Sequence, residues 1–374
     1  MGAEVVTNEN RSESIDRRIS VAPMMEWTDR HCRYFLRQFS PHTRLYTEMI
    51  HAAAIVRGDA TRLLRFSAEE QPLAIQLGGS DPVQLAAAAR RAEDAGFIEV
   101  NLNCGCPSDR VRSGAFGACL MQQPQLVAEC VAAMKQAVRL PVTVKFRIGV
   151  VDRDAVGSSA AALARGQIFD ADDTRMLEQF ARALMAAGTD MLIVHARKAV
   201  LGGLSPHENR TVPPLRYDAV ASLRAALRPD AGTTAVPVIA NGGLRTRPEV
   251  LQALAEFDGV MIGREAYHRP ELLGELHAAL HPDDPPPPGP LEVLQAMCEY
   301  ARRESAAGTP LNAITRHMLG LLSGRPGARA LRQILSGQVQ QGVPAAEIFS
   351  RAMALAGAAH DEPACSPQLP SAMT

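Results

Sequence analysis

Eight short runs of β-branched and aliphatic residues, each closing on a polar or glycine-rich turn, punctuate the chain at 19–24, 44–49, 73–77, 98–102, 142–146, 191–195, 238–240 and 260–262. Between them lie segments with apolar residues at helical spacing, among them 82–95, 125–138, 174–187 and 217–227. Ser80, Asp81 and Pro82 read as a cap followed by proline in the first turn, and Gly96 reads as the stop. Strands that are apolar on both faces must be covered on both faces. Eight of them alternating with helices predict an α/β fold, a (β/α)8 TIM barrel, with a doubly wound sheet as the alternative.

The rhythm fails in three places. Residues 150–173 carry charges and small side chains without a period, which predicts an insertion after the fifth strand. Residues 281–290, His-Pro-Asp-Asp-Pro-Pro-Pro-Pro-Gly-Pro, can form neither helix nor central strand and predict a linker. Beyond it, 291–358 shows helical spacing broken at Gly308, Gly324 to Gly327 and Gly342-Val343-Pro344, the pattern of about four short helices. The expected organisation is therefore a disordered segment 1–18, a barrel 19–280, a linker 281–290, a small helical bundle domain 291–358 and a disordered tail 359–374.

The 374 residues are 47% hydrophobic and sum to a net charge of −1, so any polyanionic partner must be held by a local basic surface. Such a surface is present. Arg302, Arg303, Arg316, Arg325, Arg329 and Arg332 face a single acid, Glu304, over some thirty residues, with His317 among them. The seven cysteines are an odd number without a Cys-x-x-Cys pair, which predicts reduced thiols, and no apolar run approaches the ~20 residues of a bilayer span. A cytoplasmic protein is expected.

In a barrel of this kind chemistry gathers at the C-terminal strand ends. Polar residues collect there: Pro23 and Met24 close the first run, then Glu48, Gln76, Asn101 and Asn103, Lys145 and Arg147, His195 and Arg197, Asn241, and Arg264. Asn241-Gly242-Gly243 and Gly263-Arg264 end the last two runs, where amide groups without a Cβ can approach an anion, so a phosphate-bearing cofactor is expected. Lys145 stands in an otherwise apolar strand, where an ammonium is costly unless it meets an acceptor or snorkels out. Cys104 and Cys106 lie within three residues of chain over the barrel mouth. No second ligand pair follows at metal-site spacing, so no metal is expected, and a thiol there can serve as acid or nucleophile.

These residues carry a resemblance. Val21-Ala-Pro-Met, Leu45-Tyr-Thr-Glu-Met49, Gln76-Leu-Gly-Gly, Asn101-Leu-Asn-x-Gly-Cys-Pro-Ser108, Val144-Lys-x-Arg147, His195-Ala-Arg197, Asn241-Gly-Gly243 and Gly263-Arg264 resemble, in order and spacing, the tRNA-dihydrouridine synthases. Trp27-Thr-Asp-Arg-His-Cys-Arg-Tyr-Phe35, Gly203-Leu-Ser-Pro-x-Glu-Asn-Arg210 and Ile314-Thr-Arg-His-Met-Leu-Gly320 are similar to the bacterial A-type subfamily, which acts at positions 20 and 20a of the D loop. The resemblance implies an FMN enzyme recharged by NADPH, with hydride passed to C6 of the uracil and a proton from Cys106 to C5. It implies Pro23, Met24, Met25, Gln76, Lys145 and His195 around the flavin ring and Asn241, Gly242, Gly243, Gly263 and Arg264 at its phosphate. Asn103 would face the uracil, and Arg197, His207, Arg210, Arg316 and His317 would serve the tRNA. His207 stands where a more basic residue is usual, Phe146 interrupts the Lys-x-Arg motif, and the 150–173 insertion is long. The implied partners are tRNA and NADPH, with no membrane and a monomeric chain. The competing readings are a flavin reductase of free pyrimidines, which has no use for an arginine-rich appendage, and a tRNA-binding chaperone with a vestigial redox site.

Overall fold

A computed structural model describes residues 16–108, 114, 116–228 and 235–360; the expected disorder of 1–15 and 361–374 lies outside them. Ten strands are present among the described residues: β1 (Ile19–Val21), β2 (Leu45–His51), β3 (Leu73–Gly78), β4 (Glu99–Cys104), β5 (Val142–Arg147), β6 (Val150–Asp152), β7 (Met191–His195), β8 (Ala199–Leu201), β9 (Val238–Asn241) and β10 (Gly259–Ile262). Eight of them form one parallel sheet in the order β1-β10-β9-β7-β5-β4-β3-β2. Its two edges meet at Ser20 and Arg44, where Val21 N donates to Arg44 O at 2.9 Å and Arg44 N to Ile19 O at 3.1 Å. The sheet is thus a closed eight-stranded barrel, with all eight sequence-predicted runs in it. Inside, Ala22, Tyr46, Ala74, Met191, Ile193, Ile239 and Met261 form an apolar cluster against which Met24 packs.

The helices alternate as the spacing requires. Asp81 accepts from Val83 N and Gln84 N at the start of Pro82–Asp94, and Gly96 follows that helix at φ +94°, a left-handed value glycine adopts without Cβ strain. The 150–173 segment differs from expectation. It is not an irregular loop: β6 pairs with β8 in a separate parallel ribbon, and Ser159–Gln167 packs over it, burying Ala162 against Val151 and Val200. Charged residues hid the pattern because the ribbon is only three residues long. Asp170 then caps Ala171–Ala186 through a capping box with Asp173, starting that helix three residues earlier than the spacing suggests. The N-terminal expectation also changes at its edge, since Arg18 O accepts from Val260 N and Arg18 pairs with Asp16 at 2.8 Å.

The chain divides into two compact units, one of residues 1–37 and 41–265 and one of 38–40 and 266–374. The division falls ahead of the proline-rich segment where the sequence places it, because Glu271–Leu280 buries Leu272, Leu273 and Leu276 as part of the second unit. That unit also holds Pro290–Ala306, Leu311–Thr315, Ala328–Arg332 and Ala345–His360. A Cβ on Gly320 would lie 2.6 Å from Tyr267 O and 2.7 Å from His268 O, so only glycine admits that chain crossing.

Candidate active site

The period-2 alternation of β4 sends Glu99, Asn101 and Asn103 into the barrel, and register pairs Gln76 with Asn101, Asn101 with Thr143 and Asn103 with Lys145. These side chains join. Asn103 Nδ2 donates to Gln76 Oε1 at 2.7 Å, Gln76 Nε2 to Asn101 Oδ1 at 2.8 Å and Asn101 Nδ2 to Thr143 Oγ1 at 2.8 Å. At the mouth, Asn103 Oδ1 accepts from Gly105 N at 3.1 Å and Cys106 N at 3.0 Å. The Cys106 thiol is half-buried, 3.6 Å from Ser108 Oγ, while Cys106 O accepts from Ala118 N. Cys104, by contrast, is fully buried, and burial pushes its thiol well up, as burial also pushes Cys130 to about 12. Of the two thiols at the mouth, Cys106 is the more accessible.

Beside this loop lies a cluster of cations. Lys145 Nζ donates to Asn241 Oδ1 at 3.0 Å, and Asn241 Nδ2 donates to Met261 O at 2.7 Å, tying the fifth barrel strand to the end of β9 and to β10. Burial, then the neighbouring Arg147 charge, pushes the Lys145 ammonium down to about 7. Arg147 is itself buried and pushed down to about 9, so it stays charged at neutral pH; it clamps Gly105 O at 2.9 Å, Lys198 O at 3.0 Å and Asn209 O at 2.9 Å. His195 sits well below the usual imidazole range because of burial and then the Arg147 and Lys145 charges, leaving a neutral ring. Arg197 and Arg210 are both held down by burial and by Arg264, and Arg264 donates to Arg210 O at 3.4 Å. Mutual repulsion of this kind is relieved by an anion.

The Asn241-Gly-Gly243 turn lies against the His195 ring. A Cβ on Gly242 would fall 2.6 Å from His195 Cδ2, and Gly242 and Gly243 stand at φ +119° and +75°, so both positions require glycine. A Cβ on Gly263 would meet nothing within 4 Å, leaving open space beside the Arg264 amide end of Arg264–His268. Open amides, glycines and arginines together make the donor set a phosphate takes.

Most sequence-predicted site residues therefore meet at one barrel mouth: Gln76, Asn103, Cys106, Lys145, His195, Asn241 and Gly242, with Arg197, Arg210, Gly243 and Arg264 at the rim. Pro23 and Met24 are half-buried after β1, and Met25 is 55% exposed. His207 is exposed on the turn that precedes Glu208–Arg210. Arg316 and His317 belong to the second unit. His317 corrects the sequence reading: it is 1% exposed, with Tyr267 Oη 3.2 Å from Nδ1 and Arg316 Nε 3.1 Å from Nε2, so its ring orients Arg316 instead of facing solvent. Arg302, Arg303, Arg316, Arg325, Arg329 and Arg332 of that unit are all exposed, and Arg303 stacks on Tyr300. Sequence reasoning missed Thr143, Glu99, Asn209 and Tyr217. Asn209 is wholly buried and bonds Val200, Leu204 and Ser205, and Tyr217 donates to Gly242 O. Glu99 and Thr143 show in the sequence only as polar residues inside apolar runs, whereas Asn209 lies in a polar turn and Tyr217 at a helix start.

Among the described residues no helix is long and apolar enough to cross a membrane. The fold is similar to that of a 2-naphthoyl-CoA reductase in complex with 2-naphthoyl-CoA, at a TM-score of 0.51 and 12% identity over 71% of this chain and 50% of that one. A curated tRNA-dihydrouridine(20/20a) synthase of Pseudomonas aeruginosa is 47% identical over 346 residues, covering 92% of this chain and 97% of the relative. Another of that name, from Xanthomonas axonopodis pv. citri, is 51% identical over 320 residues, 85% of this chain and 88% of the relative. The dihydrouridine synthase (Dus) family model matches residues 20–356, and with those relatives it establishes that the chain belongs to the dihydrouridine synthase family.

Proposed function

We propose that the chain is a cytoplasmic tRNA-dihydrouridine synthase that reduces the C5=C6 bond of uridines 20 and 20a in the D loop, using FMN and NADPH. The carrying observation is the half-buried Cys106 thiol, its loop fixed by its own amide on Asn103 and by Arg147 on Gly105 O, beside the Lys145 and Arg147 charges of the neighbouring strand. The residues fit a flavin mononucleotide: the Gly242-Gly243 turn and the open space at Gly263 with Arg264 suit its phosphate, and Gln76, Lys145 and His195 suit a ring that carries carbonyls and ring nitrogens. When bound, the flavin supplies hydride to C6 and is recharged by NADPH.

The protein's own part is proton transfer and charge. As hydride reaches C6, electron density moves to C5 and the carbonyls; the Cys106 S–H gives its proton to C5 and water returns one to the thiolate. Lys145, Arg147 and Arg210 offset the negative charge, and the buried Arg147 acts more strongly there than a cation in bulk water. A target base in a loop leaves its stack at less cost than one in a duplex. The exposed arginines Arg302, Arg303, Arg316, Arg325, Arg329 and Arg332 supply phosphate contacts in the second unit, a device that a reductase of free pyrimidines would not need.

The deciding experiment offers flavin-loaded enzyme and NADPH an unmodified tRNA and, separately, free uridine monophosphate. Dihydrouridine at 20 and 20a with the free nucleotide untouched is the expected result; consumption of the free nucleotide alone would refute the reading. Arg316→Ala should weaken tRNA binding and reduce the slope of log affinity against log salt by about 1, read by filter binding. Lys145→Met should lower the flavin midpoint potential at pH 6.5, where the native ammonium is mostly charged, by at least about 30 mV, equivalent to 1.4 kcal/mol for two electrons. Spectroelectrochemical titration measures it.

A further inference from the structure

The hydrogen bonds that hold the Cys106 loop do not stop at Gln76. They run the length of the barrel to Glu99, which is 1% exposed and accepts from Thr143 Oγ1 at 2.6 Å, Tyr46 Oη at 2.6 Å and Arg44 at 2.5 Å. Three carboxamides in series, Asn103, Gln76 and Asn101, could in principle point either way, since each has one accepting and one donating end. Both ends of this series are fixed. At the bottom the Glu99 carboxylate only accepts, so the Thr143 hydroxyl must donate to it and offer its lone pairs to Asn101. Asn101 must then donate, turning its oxygen to Gln76, and Gln76 in turn presents its oxygen to Asn103. At the top the Gly105 and Cys106 amides can only donate, and Asn103 Oδ1 accepts both.

We infer that Thr143, with Glu99 and Asn101 beneath the site, is a positioning group for the reaction: from below it imposes the same direction that the Gly105 and Cys106 amides impose from above, and so holds the Gln76 and Asn103 amides and the seat of the Cys106 loop. None of the three touches the thiol. The role of Cys106 as acid rests on the proposed function, but the seating of its loop does not. A reversed Asn103 would turn an NH2 group toward two N–H donors, breaking two bonds at once and releasing the loop, and buried amides in that state are costly.

Thr143→Val keeps the side-chain shape and removes both bonds of the hydroxyl. It should lower kcat about tenfold with little change in KM for tRNA, since a small misplacement of the acid falls on the chemical step. The same variant should raise the rate of Cys106 alkylation by iodoacetamide, followed by mass spectrometry, by about threefold or more, because the amide series beneath Asn103 loses its lower anchor and the loop bonds weaken. Thr143→Ser should restore both quantities. Tyr46→Phe removes a bond to the same Glu99 oxygen without interrupting the series, so it should cost thermal stability yet leave alkylation at the native rate. If Thr143→Val alkylates like the native protein, if it changes only in step with Tyr46→Phe, or if Thr143→Ser fails to recover, the series is a core stabiliser alone and the inference falls. Alkylation needs no tRNA, so a native protein inactive on tRNA would overturn the proposed function while the variants still decide this point.

Discussion

Cys106→Ala should slow dihydrouridine formation by about 10²- to 10⁴-fold, the usual contribution of a placed general acid, while the purified protein stays yellow. The substitution spares the loop. Cys106 contributes its amide to Asn103 Oδ1 and its carbonyl to Ala118 N, both backbone bonds that alanine retains, and among the described residues its Sγ makes a long 3.6 Å contact with Ser108. Loss of activity with unchanged flavin content and melting temperature would therefore report on proton transfer. Cys106→Ser should recover little, because an alkyl hydroxyl is a far weaker acid than a thiol. Single-turnover oxidation of the reduced enzyme by tRNA gives the rate directly, and native turnover in Cys106→Ala would remove the thiol from the chemistry.

How much of this was legible beforehand follows from what repeats and what does not. The barrel was, because eight apolar runs must each be covered on both faces and a closed parallel sheet does so; the runs miss the observed strands by at most a few residues, as with β1, which ends at Val21 before Pro23. The site was legible as a set of strand-end residues, since strand direction alone gathers them at one mouth. The inward register was not. Glu99 and Thr143 look like ordinary polar interruptions, and only the pairing of Gln76 with Asn101 and of Asn101 with Thr143 makes them one series. His317 failed in the opposite sense: a charge count along the chain cannot tell an exposed Arg316 from the buried ring that supports it. The β6 and β8 ribbon was too short to generate a period, and its stability comes from burial of Val151 and Val200 against Ala162.

The largest stability effect is expected at Asp173, in the segment the spacing left unread. Asp173 is 7% exposed and its Oδ2 accepts from Lys198 Nζ at 2.6 Å, Arg165 at 2.8 Å and Asp170 N at 3.1 Å, while Lys198 is 2% exposed. Asp173→Ala leaves the Lys198 ammonium buried without its anion, and removing one partner of such a pair costs about 3–5 kcal/mol. Arg165 is part-exposed and can turn to water, so the cost falls on Lys198. The pairing predicts a suppressor: Lys198→Met in the Asp173→Ala background should recover most of the loss. It also predicts a pH dependence. Burial already holds the Lys198 ammonium below its ordinary value, and loss of Asp173 lowers it further. Between that depressed value and the unfolded value near ~10.4 the unfolded chain binds more protons, so the stability of Asp173→Ala should rise with pH and its deficit narrow. Chemical denaturation at pH 7 and pH 9 tests both points, and a variant within about 0.5 kcal/mol of native at pH 7 would show the pair to be dispensable. The effect should reach catalysis as well, because Lys198 O is one of the carbonyls that hold Arg147, and Arg147 in turn holds Gly105 beside the thiol.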